Sequence, residues 1–231
     1  IVMAEKVVAA QLDLATATGA ELRFGSTVSG LSRSKGRPVV RTSDGDVAAR
    51  HVVIAAGAWA PTFHDVDQLC VTRQVVFWFE ADDLETWRPD QLSFVIWARK
   101  SIDEYLGAFG APWGGIPAVK VLGEQFVETT TPDAVDRTVS PGEIAAFYER
   151  MVKPRLAGLT PNCVKASVCL YTNTTDDHFL IDSHPEHLDV TVVSACSGHG
   201  FKHSAAIGEA LARRAAGQDH LDLSPFDRSR F

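Results

Sequence analysis

The stretch His51-Val-Val-Ile-Ala-Ala-Gly-Ala-Trp-Ala-Pro61 carries the first strong statement about this chain. His51–Ala56 is a continuous apolar run closed by Gly57, the pattern of a strand buried on both faces, as in a parallel sheet. Gly57 has no side chain, so a second backbone or a ligand can come close where the strand ends. A tight strand-to-loop turn would use the same residue. A second stretch of this kind lies far along the chain: Val190-Thr-Val-Val-Ser-Ala195, then Cys196-Ser-Gly-His-Gly-Phe-Lys202. Here a buried strand runs through two glycines into a helix, whose first backbone N–H groups stabilise anionic oxygens. A plain strand-to-helix turn is the competing reading. The spacing is not that of a P-loop, and Ala195 stands where a nucleophile elbow needs glycine. Lys202 in the first helical turn is badly placed for the helix dipole, which hints at a task such as pairing with a carboxylate.

The segments around these two stretches divide the chain. Val2–Thr18 has apolar residues at three- and four-residue spacing with Gly19 after it, which predicts a helix. Glu21–Val28 reads as a strand, and Pro38–Thr42 and Val47–Arg50 as a hairpin around Ser43-Asp-Gly-Asp46. From Cys70 to Val127 come short β-rich pieces: Val71–Glu80, Ser93–Ala98, Tyr105–Gly110 and Val119–Leu122. They predict an antiparallel sheet in a second domain. Ser140-Pro-Gly-Glu143 starts a helix, with an N-cap serine, proline at N1 and glutamate at N3. It is expected to run to Leu156. Val164–Tyr171, Phe179–Asp182 and Val190–Ala195 read as strands, and Phe201–Ala216 as a helix. The expected fold class is α/β: a partial Rossmann-like domain interrupted by an antiparallel, β-rich α+β domain. The expected bounds are 1–66, 67–171 and 172–231.

Composition narrows the function classes. The 231 residues are 45% hydrophobic and 22% charged, as in an ordinary globular protein, with a formal net charge of −7. That charge argues against general nucleic-acid binding, and no run of eighteen apolar residues suggests a membrane span. Cys70, Cys163, Cys169 and Cys196 form no C-x-x-C pair, which points to a reducing, cytoplasmic setting and away from zinc. His184-Pro-Glu-His187 lacks the H-E-x-x-H spacing and reads as a loop, so no metal is expected. Taken alone, Cys169 in an apolar strand is a small core residue. Lys120, between Val119 and Val121, is either an outward surface lysine or a desolvated cation with a function. Asp176 and Asp177 read as turn acids.

Together these residues resemble one family. The order is Ala55-Ala-Gly-Ala-Trp-Ala-Pro61, a Gly-rich loop before Val119-Lys-Val121, Cys169-Leu-Tyr-Thr-Asn-Thr174, Asp176-x-x-Phe-x-Ile-Asp182 and Ser197-Gly-His-Gly-Phe-Lys202. The chain resembles the C-terminal part of the monomeric sarcosine oxidase and N-methyl-tryptophan oxidase family, flavoproteins of the D-amino-acid-oxidase-like group. The resemblance spans essentially the whole chain. It implies FAD, bound covalently through Cys169 as an 8α-thioether, and a small amino-acid substrate oxidised with O2 as acceptor. It also implies that Lys202 pairs with the substrate carboxylate. Gly198, His199, Gly200 and Phe201 would run along the flavin pyrimidine edge, and Lys120 would lie near flavin N5 and promote reaction with O2. Gly57 and Trp59 would lie near the cofactor, the Val28 backbone at the adenine, and Tyr171 in the substrate cavity.

Two positions depart from the family pattern. Phe109 falls where an active-site tyrosine is usual and Glu124 where a histidine is usual, and both bear on the substrate. Phe109 and Trp113 suggest a more apolar cavity, suited to larger N-methyl amino acids or cyclic imino acids. No G-x-G-x-x-G occurs in these residues, so the resemblance implies that about the first two fifths of the family's length is absent, including the N-terminal pyrophosphate-binding Rossmann segment that activity requires. The competing functions are a dehydrogenase of the same superfamily, and a non-catalytic chain that on its own is inactive.

Overall fold

The computed structural model describes residues 2–63, 68–92, 94–98, 105–110, 115–218 and 221–231. In chain order its elements are α1 (Ala4–Ala17), β1 (Val28–Ser34), β2 (Arg37–Thr42), β3 (Val47–Ala48), β4 (Val52–Ile54), α2 (Ala60–Phe63), β5 (Cys70–Ala81), β6 (Phe94–Trp97), β7 (Leu106–Phe109) and β8 (Val119–Gly123). Then follow α3 (Pro141–Phe147), β9 (Leu159–Asn173), β10 (Leu180–His184), β11 (His187–Ser194) and α4 (Ser204–Ala215). The chain divides into two compact units. One is residues 71–171; the other joins residues 2–70 to 172–231.

The unit of residues 71–171 is built on a five-stranded sheet in the order β6-β7-β8-β5-β9. The β6–β7, β7–β8 and β8–β5 pairs are antiparallel. Strand alternation sends Phe77, Phe79, Ala108, Val119 and Val121 to one face, where Tyr148, Met151, Val152 and Leu156 cover them in a single core. Phe77 stacks on Phe147 at 4.3 Å between ring centroids, and the Tyr148 hydroxyl donates to the Leu159 carbonyl at 2.8 Å. The helix start follows its sequence signal: Ser140 Oγ accepts the Glu143 N–H at 3.1 Å, with Pro141 at N1. The helix is shorter than expected. After Phe147 it widens into a π-turn over Tyr148–Val152, which turns Met151 and Val152 into the core. Arg73, almost fully buried, ties the base of this unit together through Glu143 at 2.8 Å and the carbonyls of Asp136 and Thr138.

The second unit carries two three-stranded sheets, β1-β2-β3 and β10-β11-β4. The first is an antiparallel meander. In the second, β10 and β11 form a hairpin and β11 runs parallel to β4. A bidentate ion pair between Arg33 and Asp189 joins the β1 and β11 ends at 2.8 and 2.9 Å. Phe179, Ile181 and Val193 pack beneath Ile207, Leu211, Leu223 and Phe226, while Ala60, Leu69 and Leu180 form a small separate cluster. Helix α1 buries none of its residues.

Two further expectations change. The strand predicted over 21–28 begins only at Val28, because Gly25 at φ +76° turns the chain before it. The strand at 51–56 shrinks to β4, paired to β11 as the parallel pattern predicted. It is not buried on both faces: it is the edge of its sheet, and Val53 stays 39% exposed.

Candidate functional site

In the unit of residues 2–70 and 172–231, the parallel pair places two glycine turns side by side. Val190 sits opposite Val52, Thr191 opposite Val53 and Val192 opposite Ile54. The carboxyl ends of both strands therefore point the same way, and there open α/β sheets receive ligands. The turn after β4 contains Gly57 at φ +54°, where an added Cβ would meet nothing within 4 Å. Its backbone demands glycine, and the space beside it is open. Trp59 follows in a single 3-10 turn, 45% exposed, its N–H bonded to the Ala56 carbonyl at 3.0 Å.

The turn after β11 is held more tightly. Ser197 and Gly198 both take left-handed conformations, at φ +41° and +76°. For a serine that is strained backbone, kept only where neighbours over-determine it. Three hydrogen bonds do so here. The Ser197 N–H donates to the Thr172 carbonyl at 3.0 Å, its hydroxyl donates to the His178 carbonyl at 2.7 Å, and the hydroxyl oxygen accepts the Thr174 N–H at 3.3 Å. Gly200 is required for a different reason. Its φ is an ordinary −74°, but a Cβ would lie 1.8 Å from the Ala195 carbonyl oxygen.

His199 and Lys202 complete this turn. The His199 Nε2 lies 2.9 Å from the Asp177 carbonyl. A carbonyl only accepts, so that nitrogen carries the proton. The imidazole also rests on Phe179, with ring centroids 4.9 Å apart. Phe201 opens the helical turn and is exposed. The Lys202 ammonium folds back to the His199 carbonyl at 3.0 Å, and among the described residues no carboxylate pairs with it. The turn opposite is anchored by Asp176, which accepts from Arg230 Nε at 2.7 Å and from Thr174 Oγ1 at 2.8 Å. The guanidinium holds the Asp176 carboxyl well below the usual carboxylate range.

One polar atom at this end of the sheet is orphaned. Ser194 Oγ, at the last residue of β11, is buried with no hydrogen-bond partner among the described residues. Such a group costs free energy unless something bonds it. A strand end with an unsatisfied hydroxyl, an open glycine turn and the start of a helix suits a polar, partly anionic cofactor.

In the unit of residues 71–171, register builds a second constellation on the sheet face away from the core. Phe94 pairs with Phe109, Phe109 with Lys120, and Lys120 with Trp78. These four side chains form one row across β6, β7, β8 and β5, with Phe94 53% exposed and the others half-buried. The Lys120 ammonium lies 5.5 Å from the Trp78 ring centroid. Cys169 and Tyr171, two residues apart on β9, share one side of that strand. Both are half-buried, and the Cys169 thiol is free. Tyr105, just before β7, is raised above its ordinary pKa by burial and then by the nearby Glu124 carboxylate.

The structure thus gathers Gly57 and Trp59 with Gly198–Lys202 at one end of one sheet, and Phe109 with Lys120 on one face of another. Val28 stands elsewhere, on β1 opposite Thr42. Trp113 lies outside the described residues. Sequence reasoning missed Ser194, Ser197 and Trp78. The first two look like ordinary strand-end serines, and Trp78 looks like one more apolar residue of a buried strand.

An α/β unit with glycine turns at the ends of parallel strands, divided in sequence by an antiparallel-sheet unit, is the architecture of a cofactor-binding protein with an insertion. Residues 1–214 match the family of FAD dependent oxidoreductases, and the chain belongs to it. Among curated proteins it is 36% identical to a monomeric sarcosine oxidase of Streptomyces avermitilis, over 92% of this chain and 56% of that protein. It is 30% identical to an N-methyl-L-tryptophan oxidase of Salmonella enteritidis, over 98% of this chain and 60% of that protein. Among solved structures, NikD, described as an unusual amino acid oxidase, superposes with a TM-score of 0.73 at 20% identity, covering 95% of this chain and 58% of NikD. Glycine oxidase from Geobacillus kaustophilus gives 0.70 at 23% identity, covering 96% of this chain and 57% of that one. The chain spans between half and two thirds of the length of these relatives.

Proposed function

We propose that this chain serves the FAD-dependent oxidation of a secondary, N-methyl amino acid. Overall, a secondary amine, O2 and water give the primary amine, formaldehyde and hydrogen peroxide. The observation that supports the reading most is the parallel β4–β11 pair with its two glycine turns and the orphaned Ser194 hydroxyl. When bound, FAD supplies the two-electron acceptor for the substrate and passes the electrons to O2.

In this reading residues 1–66 and 172–231 serve the cofactor and residues 67–171 the substrate. Gly57, Trp59 and the Gly198–Phe201 turn hold the cofactor, the Val28 backbone meets its adenine end, and the Cys169 thiol is the point of covalent attachment. The backbone N–H groups at the start of the 201–215 helical segment would stabilise a partly anionic group bound beside them. Lys202 exchanges its bond to the His199 carbonyl for the substrate carboxylate, a stronger, charge-assisted partner. Tyr171 and Phe109 line the substrate cavity. Lys120 keeps a fixed positive charge where O2 is reduced. Turnover also needs a group that binds the cofactor pyrophosphate.

The test is intact mass and absorbance of the protein expressed together with its natural upstream coding sequence. A flavin mass that survives denaturation and is lost in Cys169→Ala, with peroxide formed from sarcosine or N-methyltryptophan, is the expected result. A colourless protein of bare polypeptide mass overturns the cofactor assignment.

A further inference from the structure

Two ammonium groups meet on one indole ring. Lys120 Nζ lies 5.5 Å from the centroid of Trp78 and Lys165 Nζ lies 4.9 Å from it. The two cations are therefore no more than about 10 Å apart. Cross-strand pairing brings the first to the ring, since Lys120 on β8 faces Trp78 on β5. Sheet order brings the second, since β9 lies beside β5. Among the described residues neither ammonium group has an ion pair or a hydrogen bond.

A lysine ammonium on its flexible four-carbon stem is a poor fixed charge unless something holds it. The face of an indole does this without neutralising the charge, because its quadrupole attracts a cation while leaving it ionised. A carboxylate would fix the ammonium but cancel its field. Two cations on one ring also repel each other and compete for it, so each sets how closely the other is held.

We propose that Trp78 is the positioning residue of Lys120, and that Lys165 is a second cation on the same ring, so that this sheet face presents a pair of un-neutralised positive charges. The proposal rests on the reading of Lys120 as the charge beside which O2 is reduced. In that step O2 takes two electrons, drawn from the substrate through the cofactor, and two protons, and becomes hydrogen peroxide. The two lysines supply field, not protons, and stabilise the negative charge that O2 acquires before the protons arrive.

The placement is tested on the chain itself, without cofactor, by limited acetylation with acetic anhydride and peptide mass spectrometry, using exposed Lys35 as internal standard. Trp78→Leu is expected to speed acetylation of Lys120 about three- to tenfold by releasing it from the ring. Lys165→Met is expected to slow it about twofold, because the competitor and its repulsion are gone. Opposite signs are the signature of a shared ring. A change of the same sign in both, or none in either, overturns the proposal. Trp78→Phe keeps an aromatic face and carries the test should Trp78→Leu not fold; it is expected to leave Lys120 within about twofold of the native rate.

In the FAD-loaded full-length protein, Lys165→Met should slow the reaction with O2 about threefold, leave reduction by substrate unchanged, and be rescued by Lys165→Arg. Should the acetylation signs appear while Lys120→Met leaves the O2 reaction untouched, the oxygen role of Lys120 fails and its placement by Trp78 stands.

Discussion

The two units solve different problems with the same elements. In residues 71–171 a single core of aromatic and branched side chains fills the space between one sheet face and the α3–π-turn segment. In residues 2–70 and 172–231 the clustered buried apolar residues form two small groups, other buried ones such as Val39, Ile54, Val190 and Val192 lie outside both, and α1 buries nothing. There, order comes instead from the interlocked turns around Ser197, from Arg33–Asp189 and from Arg230–Asp176. Stability that rests on buried area is diffuse and tolerant of exact placement. Stability that rests on a few directed hydrogen bonds fixes a backbone closely, and the glycine turns of a ligand site need that.

Substitutions test this contrast, read by hydrogen exchange in each unit separately. The largest effect should come from Phe79→Ala, which empties the centre of the single core. It is expected to cost about 3–5 kcal/mol and to raise exchange throughout residues 71–171. Uniform loss in both units would show that the division is not energetic. Next comes Gly200→Ala. A Cβ there overlaps the Ala195 carbonyl, so the turn must move, at a cost of about 3 kcal/mol with exchange rising at 196–203. An unchanged turn would mean that the close approach relaxes freely.

The acid response should be smaller and local. Arg230 holds the Asp176 carboxyl below its ordinary range, so this pair stabilises the fold above the unfolded value of about pH 4. That contribution is lost as the pH falls from there towards the lower folded value. The pair is partly solvated, which limits its worth to about 1 kcal/mol. Exchange at 174–179 should rise below pH 4 in the native chain, and Arg230→Ala should weaken the pH dependence, leaving the part due to the Thr174 and His178 donors. At the small end, Leu14→Ala on α1 should change stability by no more than about 0.5 kcal/mol, since Leu14 is largely exposed. A large loss in thermal unfolding would show that α1 packs more firmly than its exposure indicates.

Much of this was legible in the sequence. Helix α1, the Ser140 cap with Pro141, and the strands over 70–81, 106–109 and 119–123 all follow their local patterns to within a few residues. Local chemistry failed where one residue outweighed its neighbours. Gly25 turns the chain inside a strand-like run, and the π-turn after Phe147 is set by what Met151 and Val152 must fill. The candidate site was partly legible too. Gly57 and Gly198 announce themselves because glycine is the residue that takes a left-handed turn at least cost. Gly200 does not, because its reason is the carbonyl of Ala195, which only the folded turn brings against it.

By itself, then, the sequence determined the periods, the caps, the left-handed turns and the membership of a flavoprotein family, since each is written in residues adjacent along the chain. Tertiary structure alone decided that Phe94, Phe109, Lys120 and Trp78 stand in one row, that Lys165 shares the indole with Lys120, and that Ser194 ends in a buried hydroxyl without a partner among the described residues. These depend on the register between strands tens of residues apart. A slip of one residue would send every one of those side chains to the opposite face.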